Sequence, residues 1–250
     1  MIIDTPRKKD LPALKQIWQE AFGDSPEFLN GFFQKGFSPE RCRCLLWEDR
    51  PVAVLYWFDC FFHGKKLAYI YAVATDKAFR GRGLCRQLMD DTHRHLKNTG
   101  YSAATLVPEN EALFAMYGTM GYRRFCPMTE TAVQAGVFQL PVEKITAEEF
   151  FHLRNALLPP KGILQDSVAS YLDTFTEFYR AAGAIMCLRQ EKDTLYFQEF
   201  FGDKDILPGI ITALQAQNAL VNLPGGDPYA MYLPFDGTDL EDAYLGIALG

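Results

Sequence analysis

Residues 68–98 read AYIYAVATDKAFRGRGLCRQLMDDTHRHLKN. Tyr69, Ile70, Tyr71 and Val73 form an apolar, β-branched and aromatic run, the pattern of a buried strand. A polar turn at Thr75-Asp76-Lys77 ends it, and Arg80-Gly81-Arg82-Gly83-Leu84-Cys85 follows. Leu84, Leu88, Met89, Thr92 and Leu96 then recur at three- and four-residue spacing, which predicts an amphipathic helix. Strand, glycine-rich loop and helix start together make an anion site: glycines let backbone N–H groups turn to one point, and the helix adds its positive end. Arg80 and Arg82 add charge, and a phosphate is the simplest anion. A Walker loop needs Lys-Ser or Lys-Thr where Leu84-Cys85 stand, and a dinucleotide loop needs a glycine where Arg86 stands. Both are excluded.

What remains resembles the pyrophosphate loop of the GNAT superfamily of acyl-CoA-dependent N-acyltransferases, Q/R-x-x-G-x-G/A. Arg80, Gly83 and Cys85 fall on its fixed positions, Cys85 replacing the usual Gly or Ala. A second GNAT pattern, N-x-x-A-x-x-x-Y-x-x-x-G-F/Y, is met in order and nearly in spacing by Asn110-Glu111-Ala112, Tyr117 and Gly121-Tyr122. The resemblance covers residues 1–126 and implies acetyl-CoA as cosubstrate. It implies that Arg80, Gly81, Arg82, Gly83, Leu84 and Cys85 hold the pyrophosphate, that the Val73 amide meets the thioester carbonyl, and that Thr75 bonds the pantetheine amide. By the same resemblance Tyr117 protonates the departing sulfur, while Asn110 caps its helix and touches the pantetheine arm. A phenol near pKa 10 suits a thiolate whose acid lies near 8.5. Family members often carry a Glu base at the place of Tyr69; here Glu109, Asp59 and the terminal carboxylate of Gly250 are the alternatives.

The composition is that of a soluble globular protein, and the order of strands and helices predicts an α/β fold. Of 250 residues, 48% are hydrophobic, 22% charged and 14% aromatic, enough for one large domain or two small ones. A net charge of −6 opposes a general nucleic-acid binder and is compatible with a cationic amine acceptor. Six cysteines occur without a C-x-x-C pair; Cys42 and Cys44 point to one face of a strand with no second half-site for a metal, so no metal is expected. The opening Met1-Ile2-Ile3-Asp4 has no signal-peptide pattern, and the apolar run Val52–Phe58 is too short to cross a bilayer, so the expected home is the reducing cytoplasm.

Outside the central stretch, residues 1–5 predict a strand, Asp10 caps a helix bearing Leu11, Leu14, Ile17, Trp18 and Phe22, and a second helix carries Phe28, Leu29, Phe32 and Phe33. Strands are expected at 42–48, 51–62 and 101–107, and a short helix at 111–120. Further on, helical stripes fall at 147–157 and 167–179, a hairpin at 184–201, a helix at 205–217 and a strand at 218–223. This repeats the first half, and ALFAMYGTMGY (112–122) rhymes with DPYAMYLPFDG (227–237). The repeat has no glycine loop, because Gly202-Asp203-Lys204-Asp205 carries two acids that repel a pyrophosphate. Residues 1–126 are therefore read as the catalytic GNAT domain and 127–250 as a degenerate GNAT-like half, the alternative being an unrelated extension covering the sheet.

These readings point to an N-acetyltransferase acting on a primary amine of a small molecule or peptide, by direct attack and without an acyl-enzyme. A CoA-binding protein without catalysis is the alternative, motivated by the missing base. An aminoacyl-tRNA-dependent transferase, a use tandem GNAT halves also serve, is opposed by the acidic balance and the complete CoA loop. Nothing in the sequence specifies the acceptor or the oligomeric state.

Overall fold

The computed structural model describes residues 1–249. The chain divides into two compact units, Met1–Arg123 with Met231–Asp239, and Arg124–Ala230 with the stretch from Leu240.

The first unit begins with β1 (Ile2–Asp4), α1 (Leu11–Phe22) and α2 (Pro26–Gly31), and continues through β2 (Cys42–Trp47), β3 (Arg50–Phe62) and β4 (Lys65–Thr75). Then come α3 (Leu84–Asn98), β5 (Ala103–Leu106), α4 (Glu111–Gly118) and β6 (Arg123–Phe125). The turns at Glu48-Asp49 and His63-Gly64 have positive φ at both residues, the two-residue hairpin geometry that matches strand twist. β1 to β4 are antiparallel in sequence order, and β5 joins β4 in parallel after the α3 crossover. Along β4 the residues alternate: Ala68 and Ile70 enter a core with Leu84, Leu88 and Phe114 of α3 and α4, whereas Tyr71 packs on Trp18 of α1, ring centroids 5.4 Å apart.

The second unit holds β7 (Met128–Gln134), β8 (Glu143–Ile145), α5 (Ala147–Leu157), α6 (Ala169–Leu172), β9 (Glu177–Ala181) and β10 (Ala184–Glu191). β11 (Thr194–Phe201), α7 (Leu207–Ala213) and β12 (Asn218–Pro224) complete it. Four antiparallel strands, β8 to β11, are followed by a parallel β12, so the pairing of β1 to β5 is repeated. The last neighbour of each fifth strand comes from out of turn. β7, which directly follows β6, lies antiparallel to β12, and β13 (Ala230–Pro234), which follows β12, lies antiparallel to β5 with Met231 opposite Leu106. Both sheets are mixed, and the fold is α/β with one strand-pairing plan used in both units.

Four local expectations are corrected. The stripe at 167–179 is helical only over Ala169–Leu172; Thr174 and Thr176 hydroxyls donate to the carbonyls of Tyr171 and Leu172 (both 2.7 Å), ending the helix, and 177–181 becomes a strand. Residues 205–217 are a 3-10 turn at Lys204–Ile206 followed by a helix ending at Ala213, with Gln215 left-handed at φ 57°. The rhyme of 112–122 with 227–237 does not extend to structure, since the first is helix α4 and the second strand β13, where pairing with β5 overrides local preference. Asp10 stands before α1 but does not cap it with its side chain; its carboxylate accepts from the N–H and Nε of Arg7, at 2.7 and 2.9 Å.

Candidate active site

β4 changes character near its end. Among the described residues it pairs with β5 through Leu67, Ala68 and Tyr69, and beyond Tyr69 the two strands part. Ala72 has φ 49°, and the register with β3 slips there: Tyr71 faces Tyr56, but Ala74 faces Val54. A bulge of this kind re-aims the strand behind it. Val73 and Thr75, both half-buried, follow the bulge.

Asp76 closes the strand. Its N–H donates to the Val52 carbonyl at 2.8 Å, and its buried carboxylate accepts from the Ala78 N–H at 2.9 Å. The chain then turns through Arg80, whose Nε donates to the Thr75 carbonyl at 3.0 Å, and Arg82, whose guanidinium donates to the Ala78 carbonyl and lies 5.2 Å from the Phe79 ring centre. Gly81 and Gly83 are left-handed, at φ 75° and 73°. An added Cβ at either meets nothing within 4 Å, so glycine is required for backbone handedness and the approach side is open. Gly83 stands at the N-cap of α3, and among the described residues no side chain caps that helix. Leu84 is buried and anchors the first turn, while Cys85 beside it is half-buried with its thiol pushed up by burial. The six residues from Arg80 to Cys85 are thus gathered at the end of β4.

Tyr117 is buried on α4, and its phenol is driven well above the usual range by burial, with a further push from the Cys85 thiol. Asn110 caps α4, its Oδ1 accepting from the Leu113 N–H at 3.1 Å. Sequence reasoning missed how α4 is fastened to α3. The Arg86 guanidinium donates to the Thr119 carbonyl at 2.6 and 3.3 Å, at the C-terminal end of α4. His93 Nε2 lies 2.9 Å from the Tyr122 hydroxyl, and the Tyr117 and Tyr122 rings meet edge-on with centroids 5.6 Å apart. Burial lowers His93 to about 4, against the opposing pull of Asp90. The available signals were His93 four residues after Met89, beside the apolar stripe, and Tyr122 within the second motif.

The base candidates separate by place. Asp59 lies opposite Ala68, seven residues before Thr75 along β4, on the order of 20 Å at about 3.3 Å per residue. It is also engaged there, accepting from the Tyr101 hydroxyl at 2.5 Å and pairing with Lys66 at 3.2 Å. Glu109 is exposed between β5 and α4, Tyr69 is buried opposite Phe58 and Thr105, and Gly250 lies outside the described residues. Among the described residues no group of three or more His, Cys, Asp or Glu side chains could hold a metal ion, and no helix is long and apolar enough to cross a membrane.

The sequence model of the acetyltransferase (GNAT) domain matches residues 3–125. No curated protein matches the chain. Its fold is similar to that of a GCN5-related N-acetyltransferase from Kribbella flavida (15% identity, TM-score 0.70, covering 94% of this chain and 71% of that one). It is also similar to a GCN5-related N-acetyltransferase from Anabaena variabilis (15%, TM-score 0.67, 92% and 72%). A tandem GNAT protein from the clavulanic acid biosynthesis pathway aligns over both halves (10%, TM-score 0.58, 94% of this chain and 98% of that one).

Proposed function

From the premise that the chain belongs to the GNAT acetyltransferase family through residues 3–125, we propose that it moves an acetyl group from acetyl-CoA to a primary amine of a small molecule or peptide. The family relation carries acyl-CoA-dependent N-acyl transfer; acetyl as the acyl group, the amine and the residue roles are our reading. The observation that carries it is the left-handed Gly81 and Gly83 leading into α3, which no side chain caps among the described residues, at the end of a strand parted from its neighbour. A diphosphate fits that place, because helix-start amides and a turn of glycines form a concentrated positive field.

In this reading the amides of Arg80–Cys85 hold the diphosphate, with Arg80 and Arg82 adding charge at the rim. Thr75 and Asn110 bond the pantetheine arm, and the Val73 N–H donates to the thioester carbonyl, where negative charge grows during attack. The bound cosubstrate supplies an activated acyl carbon and a thiolate leaving group. Tyr117 donates its proton to that sulfur. Burial raises the phenol, but the same desolvation raises a thiolate leaving beside it, so the proton passes between two groups penalised alike. The neutral amine attacks directly, with no acyl-enzyme, and the N–H proton it loses as the amide forms restores the Tyr117 phenol. We assign the protein to the reducing cytoplasm, where cysteines stay as thiols.

A CoA-binding protein without turnover is the second reading. Tyr69, buried where the family often has a carboxylate, favours it. Thiol release from acetyl-CoA over a panel of amines separates the two: one amine giving turnover supports the enzyme, and uniform inactivity with intact CoA binding supports the binder. With an active amine, Tyr117→Phe is expected to lower kcat about 100-fold while acetyl-CoA affinity, which involves no free thiol, holds. Unchanged turnover removes the acid.

A further inference from the structure

We propose that Arg86 is a positioning residue that sets Tyr117 in register with the pyrophosphate loop. The inference rests on the reading of Tyr117 as the acid. Arg86 is the third residue of α3, in the helix turn that opens from Gly83. Its two terminal nitrogens converge on a single acceptor, the Thr119 carbonyl, at 2.6 and 3.3 Å, and one lies 3.4 Å from the Thr119 hydroxyl. Thr119 is the first residue past α4, two beyond Tyr117. The negative end of α4 thus meets a cation fixed to the positive end of α3.

Neighbouring contacts place Tyr117 within the same construction. Cys85, adjacent to Arg86, lies near enough to raise the Tyr117 phenol. Further along α3, His93 holds the Tyr122 hydroxyl, and Tyr122 packs edge-on against Tyr117. The end of α4 is therefore tied to α3 directly at Arg86, in the turn that carries the loop, and through Tyr122 at His93. Tyr117, Tyr122 and Cys85 belong to the packed interior, whereas Arg86 is exposed and ends on main chain. Its loss removes little packing but frees α4 to shift against the loop. For a phenol acting on one sulfur atom, a displacement of about 1 Å is enough to impair function.

The test compares coenzyme A with desulfo-coenzyme A by calorimetry on the full chain at pH 7 and pH 9, since the thiol ionises increasingly over that range. The wild type should prefer coenzyme A, with the preference rising to about tenfold at pH 9, as expected for a hydroxyl donating to an ionised acceptor. Tyr117→Phe should bring the ratio to about 1. Arg86→Ala should bring it below about 2 with desulfo-coenzyme A affinity within about twofold of wild type and the melting temperature nearly unchanged, Arg86→Lys should restore part of it, and the double variant should match Tyr117→Phe. A full ratio in Arg86→Ala, with the ratio lost in Tyr117→Phe, overturns the role of Arg86 alone. A wild-type ratio of 1, or one that Tyr117→Phe does not change, overturns the acid and Arg86 together, as does absence of coenzyme A binding.

Discussion

In the first unit β4 hands over to Arg80, Gly81, Arg82 and Gly83 and a fifteen-residue helix; in the second, β11 hands over to Gly202, Asp203 and a helix of seven. Strand order and pairing up to these points are alike. The glycines differ in purpose. Gly81 and Gly83 serve backbone handedness in open space, whereas a Cβ on Gly202 would come within 2.4 Å of the Ala184 Cβ. The turns before the helices differ too: Asp203 accepts from the Asp205 N–H at 3.0 Å and caps the 3-10 turn at Lys204–Ile206, so a carboxylate of the chain itself stands at those amides. The second unit instead concentrates charge in its interior. Arg154, fully buried on α5, donates to Glu199 of β11 at 2.5 and 3.0 Å, to Gln165 at 2.8 Å and to the Leu245 carbonyl at 3.1 Å. Tyr244 donates to the same glutamate at 3.0 Å. The same strand order therefore carries a glycine turn with open approach in one unit and a buried ionic cluster in the other.

The largest expected effect breaks the cluster. Glu199→Ala leaves a guanidinium buried without its countercharge and should reduce unfolding free energy by about 3–5 kcal/mol in urea titrations. Arg154→Met combined with Glu199→Leu should recover most of the loss, since apolar residues of similar volume replace buried ion pairs at little cost. Coenzyme A should still raise the melting temperature of the weakened protein. If Glu199→Ala unfolds at the wild-type midpoint, the second unit is not organised around this pair and the contrast fails.

That contrast was only half legible in the sequence. The loop was readable because its information is local: glycines, arginines and a helix stripe within a few residues of one another. The cluster joins Arg154 to Glu199 across 45 residues, and no local pattern marks that pairing. A hint existed, since Arg154 falls four residues after Phe150 and three after Phe151, on the buried stripe of α5. The strand at 230–234 was missed for the same reason, its partner β5 being distant in sequence, whereas 177–181 pairs with the adjacent β10 as well as with β8. The base stayed unreadable because Asp59 lies far along β4 from Thr75, while Glu109, exposed past the end of β5, carries no local pattern that marks a base.

A smaller effect separates the units by pH. His93 of the first unit is held near 4 by burial, against 6.5 when unfolded, so the unfolded chain takes up the proton first. Its contribution to stability is complete above pH 6.5, declines as pH falls, and is gone near 4. The half-buried ring warrants a figure of about 2 kcal/mol over that window. Asp90, the Tyr122 hydroxyl and the Phe235 ring are its surroundings, and replacing the imidazole with an amide removes the titration while keeping a polar partner for Tyr122. The stability difference between wild type and His93→Gln should therefore shrink between pH 7 and 4. A difference independent of pH would mean that the tie between α3 and α4 carries no buried neutral imidazole.

The smallest effect is also the sharpest, because it sets glycine against glycine. Gly83→Ala forces an L-residue to φ 73°, a cost of about 1–2 kcal/mol, or an equal relaxation of the loop. Relaxation turns the helix-start amides away from their common point, so coenzyme A affinity should fall at least about tenfold. Gly202→Ala meets the Ala184 Cβ and should cost a similar 1–2 kcal/mol through overpacking, yet leave coenzyme A affinity within about twofold. Equal stability losses with unequal binding losses are what the two glycine roles require. Should Gly202→Ala weaken coenzyme A as much as Gly83→Ala, the binding loss would follow from general loosening rather than from loop geometry, and main-chain handedness at residues 81 and 83 would no longer support the proposed diphosphate site.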